Sequence, residues 1–292
     1  MQFGANTFIW TSPFSTERDL WLLPHVRDMG FDLIEIAVED PALIDAAALK
    51  KALGETGLGV IVCGAFGPDR NLASPDPAPR QNAAGYIRAL IALAAEAGSP
   101  LVIGPMYSAV GKERLATAEE RAAEWQRAVA GLRDLAAVAG EQGVQLAFEP
   151  LNRFETDMIN VVEQGLSLIA DVGSPHLGLH LDTFHMHLEE KDSAAAIRLA
   201  GDRLFHLHAC ENDRGVPGSG QVRWREIAAA LQAIGYDRAV VIESFTPAVQ
   251  SIARAVCIWR EIAPSQDAIA ADGLAFLRAL LEEAEKEQEV YG

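Results

Sequence analysis

Short apolar runs alternate with longer stretches of helical periodicity from one end of the chain to the other. The apolar or β-rich runs are Phe3–Trp10, Phe31–Val38, Leu58–Phe66, Leu101–Tyr107, Val144–Pro150, Leu177–Thr183, Leu204–Ala209 and Ala239–Phe245. Several are almost continuously hydrophobic, as parallel strands covered on both faces should be. Between the fourth and fifth runs, Ala118, Ala122, Trp125, Val129, Leu132, Ala136 and Ala139 form one apolar stripe of a helix. Thr117-Ala-Glu-Glu120 matches a capping box at its start, and Gly140 and Gly143 mark its end. The same signals predict helices near Leu20–Met29, Leu43–Leu53, Ala83–Ala97, Val161–Val172, Ala194–Ala200, Arg225–Ile234 and Asp267–Glu289. Eight strands alternating with helices, joined by right-handed crossovers, predict an α/β fold closed into a (β/α)₈ TIM barrel. A doubly wound open sheet is the alternative. That fold would show a glycine-rich phosphate turn after its first strand, which Trp10-Thr-Ser-Pro-Phe14 is not.

Composition narrows the function classes. At 292 residues with half of them hydrophobic, the chain can bury one large core, and barrels of about 250 residues are ordinary. No linker or low-complexity stretch interrupts it, so residues 1–292 read as a single domain. A formal net charge of −17 argues against a nucleic-acid partner, which needs a cationic footprint, and against an anionic membrane. Cys63, Cys210 and Cys257 show no CxxC spacing and read as reduced, partly buried thiols. The N-terminus lacks a basic leader, and no apolar run reaches the roughly 18 residues of a membrane span. A cytoplasmic location is expected.

In a barrel, chemistry gathers at the carboxyl ends of the strands. The last four predicted strands each carry a metal-competent side chain there: Glu149, Asp182, His208 and Glu243. Any one of the carboxylates reads equally well as a helix cap or a loop ion pair, and His208 as a core histidine. Four on consecutive strands are harder to dismiss, because burying three carboxylates together is prohibitive without a cation. The donor set is mostly hard, favouring Mn²⁺, Mg²⁺ or Co²⁺ over structural Zn²⁺. His206 shares a strand face with His208 and is either the ligand itself or a supporting group; His208 lies nearer the strand end. Glu155, His185 and Arg214 follow these positions closely, each in a βα loop above the predicted metal.

The segments Glu149-Pro-Leu-Asn-Arg-Phe-Glu-Thr-Asp157, Leu181-Asp-Thr-Phe-His-Met186 and Glu211-Asn-Asp-Arg-Gly-Val-Pro-Gly-Ser-Gly220 closely resemble the D-tagatose 3-epimerase / D-psicose (D-allulose) 3-epimerase family of xylose-isomerase-like barrels. Asp69-Arg-Asn-Leu-Ala-Ser74, Gly104-Pro-Met-Tyr107 and Val241-Ile-Glu-Ser-Phe245 extend the resemblance over nearly the whole chain. It implies metal ligation by Glu149, Asp182, His208 and Glu243, with Mn²⁺ the expected ion. It also implies substrate contacts from Glu155, His185 and Arg214, and an acid/base pair, Glu149 and Glu243, inverting C3 of a free ketose through an enediolate. Two departures bear on the far end of the sugar. Asn6 stands where relatives often carry an aromatic residue, and Ser108–Arg114 is short and lacks tryptophans. Trp10, Cys63, Tyr107 and Phe245 are expected to form a largely apolar wall there. The rival enzyme readings are an aldose–ketose isomerase and a polyol dehydratase; the rival of another class is a non-catalytic sugar-binding protein. A homodimer or homotetramer is expected.

Overall fold

Each of the eight apolar runs becomes a strand, and the strands close on themselves. In the computed structural model, which describes residues 1–112 and 116–291, parallel pairing runs in sequence order from β1 (Gln2–Asn6) through β2 (Leu33–Val38), β3 (Gly59–Gly64), β4 (Leu101–Gly104), β5 (Gln145–Phe148), β6 (Leu177–Asp182), β7 (Leu204–Ala209) and β8 (Ala239–Ile242). β8 returns to pair with β1, Gln2 opposite Ala239. Glu113 and Arg114, the end of the departure after β4, lie outside the described residues.

Helices wrap the outside: α1 (Thr16–Asp19), α2 (Leu22–Asp28), α3 (Ala46–Thr56), α4 (Pro77–Ala97), α5 (Ala118–Glu141), α6 (Val162–Val172), α7 (Thr183–Glu189), α8 (Ser193–Ala200), α9 (Trp224–Ala233), α10 (Gln250–Ala255) and α11 (Gln266–Tyr291). The capping box at Thr117 forms as predicted: Glu120 N–H donates to the Thr117 hydroxyl, and Thr117 N–H to the Glu120 carboxylate. α7 and α10 carry no clear periodic signal in the sequence; each is short.

The pleat sorts side chains into two layers. In β2, Ile34, Ile36 and Val38 join the large core between barrel and helices. Leu33 joins Ile61, Cys63, Leu101, Ile103 and Phe205 in the plug inside the barrel. Glu35, two residues beyond Leu33, therefore also faces the interior, above that plug.

Six strands end before the sequence expectation, by the most at β1, β4 and β8. β1 stops at Asn6 because the Asn6 carboxamide oxygen accepts from Phe8 N–H at 2.8 Å and caps a 3₁₀ turn over Thr7–Ile9. β4 stops at Gly104, whose φ of +126° and 2.6 Å clearance between a built Cβ and the Gly64 carbonyl exclude any side chain. β8 stops at Ile242, leaving Glu243 in the following loop.

Candidate active site at the barrel mouth

β5 to β8 deliver the predicted metal set to one place, two of the four from just past a strand end. Glu149 follows Phe148 of β5 and Glu243 follows Ile242 of β8, while Asp182 and His208 lie within β6 and β7. Glu149, Asp182 and His208 can present donor atoms within 4.8 Å of one another, as can Asp182, Cys210 and Glu243. The His208 Nδ1 atom lies 3.9 Å from an Asp182 oxygen and 3.5 Å from a Glu243 oxygen. Asp182 also caps α7, its Oδ1 accepting from Phe184 N–H at 2.7 Å. This cap directs the chain into a helix that carries His185 one turn above the site. The sequence reading put His185 in a loop; the helix holds it more rigidly.

A hydrogen-bond network orients the remaining polar groups. The backbone N–H of Asn152 donates to His185 Nδ1 at 3.1 Å, which assigns the ring proton of the neutral imidazole to Nε2, although Arg214 Nη2, itself a donor, lies 3.3 Å from that atom. That Nε2–H lies 3.6 Å from Glu149 Oε1. Asn152 Nδ2 also donates to Glu155 Oε1 at 2.8 Å. Arg214, left-handed at φ 64°, places Nη1 2.6 Å from Asp182 Oδ2 and 3.0 Å from Glu243 Oε2. Its guanidinium stacks over Phe184 at 4.0 Å, and the Ser244 hydroxyl donates to its carbonyl.

Three clustered carboxylates distort one another's titration. Burial, followed by the negative charges of Asp182 and Glu243, pushes the Glu149 carboxyl well above its ordinary range. Burial also pushes Glu243 upward, but His208 and Arg214 outweigh it and hold that carboxyl below the ordinary range. For His208, burial works against the cation, yet Glu35 and Glu243 raise it well above an ordinary imidazole. Burial keeps His185 neutral, with Arg214 acting in the same direction.

The donor chemistry fits a divalent ion. Glu149 Oε1 and His208 Nδ1 are both buried without a hydrogen-bond partner, and buried polar atoms rarely stay unpaired unless something else engages them. Both point to the same cluster. His208 Nε2 is engaged elsewhere, 2.7 Å from Glu35 Oε1, which leaves Nδ1 as the free lone pair. His206 Nε2 lies 2.7 Å from Glu35 Oε2, away from the carboxylate cluster, while His206 also shares a second possible donor group with His180 and His208.

A cavity of about 540 Å³ opens over the cluster, within the range that holds a small ligand. Glu149, Glu155, His185, Arg214 and Glu243 line it together. The xylose isomerase-like TIM barrel family matches residues 23–280. L-Ribulose 3-epimerase of Mesorhizobium japonicum is 33% identical over 291 residues, covering 99% of this chain and 97% of that protein. The chain belongs to this family, in its ketose 3-epimerase branch. Among solved structures, an L-ribulose 3-epimerase superposes with a TM-score of 0.94 at 33% identity, covering 100% of this chain and 98% of that one. The D-allulose 3-epimerase of Methylomonas sp. in complex with D-allulose has a TM-score of 0.89 at 30% identity, with 96% of each chain covered.

Against that family background, the far wall departs from expectation. Cys63 and Phe245 line the cavity as predicted, but Asn6, Trp10 and Tyr107 are not among its lining residues. Asn6 is fully buried beneath the site and donates to Glu35 Oε1 at 2.6 Å. The Trp10 indole N–H donates to Asp267 of α11 at 2.7 Å. Tyr107 is fully buried, its hydroxyl on the Ile159 carbonyl and its ring edge-on to Phe148. In their place, Glu39, Asp69 and Arg70 line the mouth beside β2 and β3, so the wall is not simply apolar. Lys112, beyond β4, is committed to Asp157 and Glu124.

Two functional groups escaped the sequence reading. Asn152 sits inside a quoted motif, with nothing in its spacing to mark it as a hub. Glu35 had a readable signal: a carboxylate inside the apolar stretch Leu33-Ile-Glu-Ile-Ala-Val38, a strand expected to be buried on both faces.

Proposed function

We propose that this chain, acting as a single barrel domain, is a metal-dependent ketose 3-epimerase of free ketohexoses and ketopentoses, with Glu149 and Glu243 as its two proton-transfer groups. The observation that carries the reading is that these two buried carboxylates, differing in proton affinity, face one cavity with His185 and Arg214. Relatives named for ketose 3-epimerisation, and one solved with D-allulose, supply the substrate class.

Glu149, Asp182, Glu243 and Nδ1 of His208 would hold the ion, for which Mn²⁺ is our assignment, with Mg²⁺ or Co²⁺ as alternatives. When bound, the ion supplies Lewis-acid polarisation of the ketose carbonyl and offsets developing negative charge. One glutamate removes the C3 proton, and the other delivers a proton to the opposite face of the resulting planar carbon. Two groups at different strand ends suit inversion, because a single base would return the proton where it came from. The two glutamates exchange donor and acceptor roles between the forward and reverse directions. The Nε2–H of His185 and the Arg214 guanidinium would hold the carbonyl-end oxygens, and Glu155, fixed by Asn152, would accept from a hydroxyl. We assign the protein to the cytoplasm as a homodimer or homotetramer, supported by its negative charge and by exposed Phe154 and Trp259. Among the described residues, no helix is long and apolar enough to cross a membrane.

The test is incubation of the protein and Mn²⁺ with ketoses in D₂O, followed by NMR. Epimer formation with deuterium entering at C3 is expected. Migration of the carbonyl to C1 would show an aldose–ketose isomerase, loss of water a dehydratase, and binding without turnover a sugar-binding protein.

A further inference from the structure

We propose that Glu35 is a positioning residue for the metal site, a buried anion that fixes His208 with its proton on Nε2 and its Nδ1 lone pair on the ion. This rests on the metal-dependent epimerase reading, but its geometry lies below the carboxylate cluster, on the opposite side of the barrel interior. Glu35 is fully buried on β2, and β2 and β7 are not neighbours in the barrel. Its side chain crosses the interior to reach His208 Nε2 at 2.7 Å. The same oxygen accepts from Asn6 Nδ2 at 2.6 Å, and Asn6 stands directly opposite Glu35 in the β1–β2 register. The other oxygen lies 2.7 Å from His206 Nε2.

A carboxylate accepts and never donates while ionised, so His208 must present Nε2–H to it. Asn6 Nδ2 and the Nε2 atoms of His208 and His206 surround the two Glu35 oxygens, an arrangement of donors that suits an ionised carboxylate. The remaining nitrogen, Nδ1, is the buried atom without a hydrogen-bond partner that faces Asp182 and Glu243. A carboxylate behind a ligating imidazole fixes ring and tautomer and raises ligand basicity, and losing such a partner typically weakens metal affinity about 10–100-fold. Asn6 then has a specific use. Its carboxamide oxygen caps the turn after β1 while its NH₂ group steadies Glu35, and an aromatic side chain there would do neither.

Two measurements on the full chain test the assignment. Long-range ¹H–¹⁵N NMR of the histidines in the metal-free protein, recorded above the raised titration of His208, should show the neutral ring with its proton on Nε2. The opposite tautomer, or an even mixture, overturns the proposal with no variant required. Calorimetric titration with Mn²⁺ should then give a Kd about 10–100-fold weaker for Glu35→Gln than for the unaltered protein. Epimerase activity of the variant should return towards the unaltered level as Mn²⁺ is raised. A merely structural role would lower Tm equally with and without Mn²⁺ and leave Kd unchanged, which overturns the proposal. An unaltered protein that takes up no Mn²⁺ would instead sink the metal-dependent reading, and the tautomer measurement would still judge Glu35 separately.

Discussion

The two halves of the barrel mouth are built from the same kind of strand, yet they hold different chemistry. β5 to β8 present Glu149, Asp182, His208 and Glu243 at their carboxyl ends, within a few ångströms of each other. β1 to β4 present no such set. Their contribution is Glu35 below the site and a mixed wall of Cys63, Glu39 and Arg70 beside it. In the proposed function, one half would therefore carry the reacting and ligating groups, and the other would orient a ligand from beneath and face the far end of the sugar. Closure of the sheet makes this division possible, because residues on β2 and β7 share an interior without being neighbours.

The sharpest way to break this contrast is to disarm the β5–β8 half. Glu149→Gln or Glu243→Gln should each lower kcat by at least about 10²-fold, up to about 10⁴-fold, in steady-state epimerisation at saturating Mn²⁺. A near-normal kcat in either variant would remove the two-glutamate scheme. Arg214→Lys should cost about 2 kcal/mol, roughly thirtyfold in kcat/KM, because a lysine cannot bridge Asp182 and Glu243 while stacking on Phe184.

Metal linkage gives a third, smaller effect with a defined sign. The Glu149 carboxyl is raised in the fold, so the stability its proton brings to the metal-free chain is present below the ordinary carboxylate range. That stability is lost as pH rises through the raised value. His208, also raised, behaves likewise from the ordinary imidazole range upward. The ion must displace these protons, so its binding tightens with pH. The Tm gap between Mn²⁺-loaded and chelated protein should therefore widen from about pH 5 to about pH 8, followed by scanning fluorimetry. At a hundredfold excess over Kd the ion adds about 2.7 kcal/mol, roughly 4–5 °C for a chain of this length. A gap that narrows with pH would contradict the assignment. The smallest effect belongs to the β1–β4 wall. Glu39→Gln should move KM by about tenfold at most and leave kcat in place, since Glu39 lines the cavity mouth away from the proposed reacting groups.

The sequence made the β5–β8 half far easier to read than the other. Apolar runs located every strand, and a carboxylate or imidazole at four successive strand ends is a pattern visible without coordinates. Errors clustered where a run continued beyond its strand. Extending β1 to Trp10 and β4 to Tyr107 placed those rings at the mouth. The Asn6-capped turn instead carries Trp10 out to α11, and the close approach of Gly104 to Gly64 ends β4 early. Glu35 was hidden for the opposite reason. Its partners, His206 and His208, lie 171 and 173 residues away (206 − 35 and 208 − 35), and only closure of the barrel brings them together. Asn152 acts in part through its own backbone N–H, which no residue type announces, beside the side-chain bond to Glu155.

The central claim is that one divalent ion sits among Glu149, Asp182, His208 and Glu243. Anomalous diffraction from crystals of the Mn²⁺-loaded protein tests it most directly. The account predicts one strong peak within bonding distance of all three carboxylates and of Nδ1, not Nε2, of His208. No peak there, or one ligated by other side chains, would contradict it.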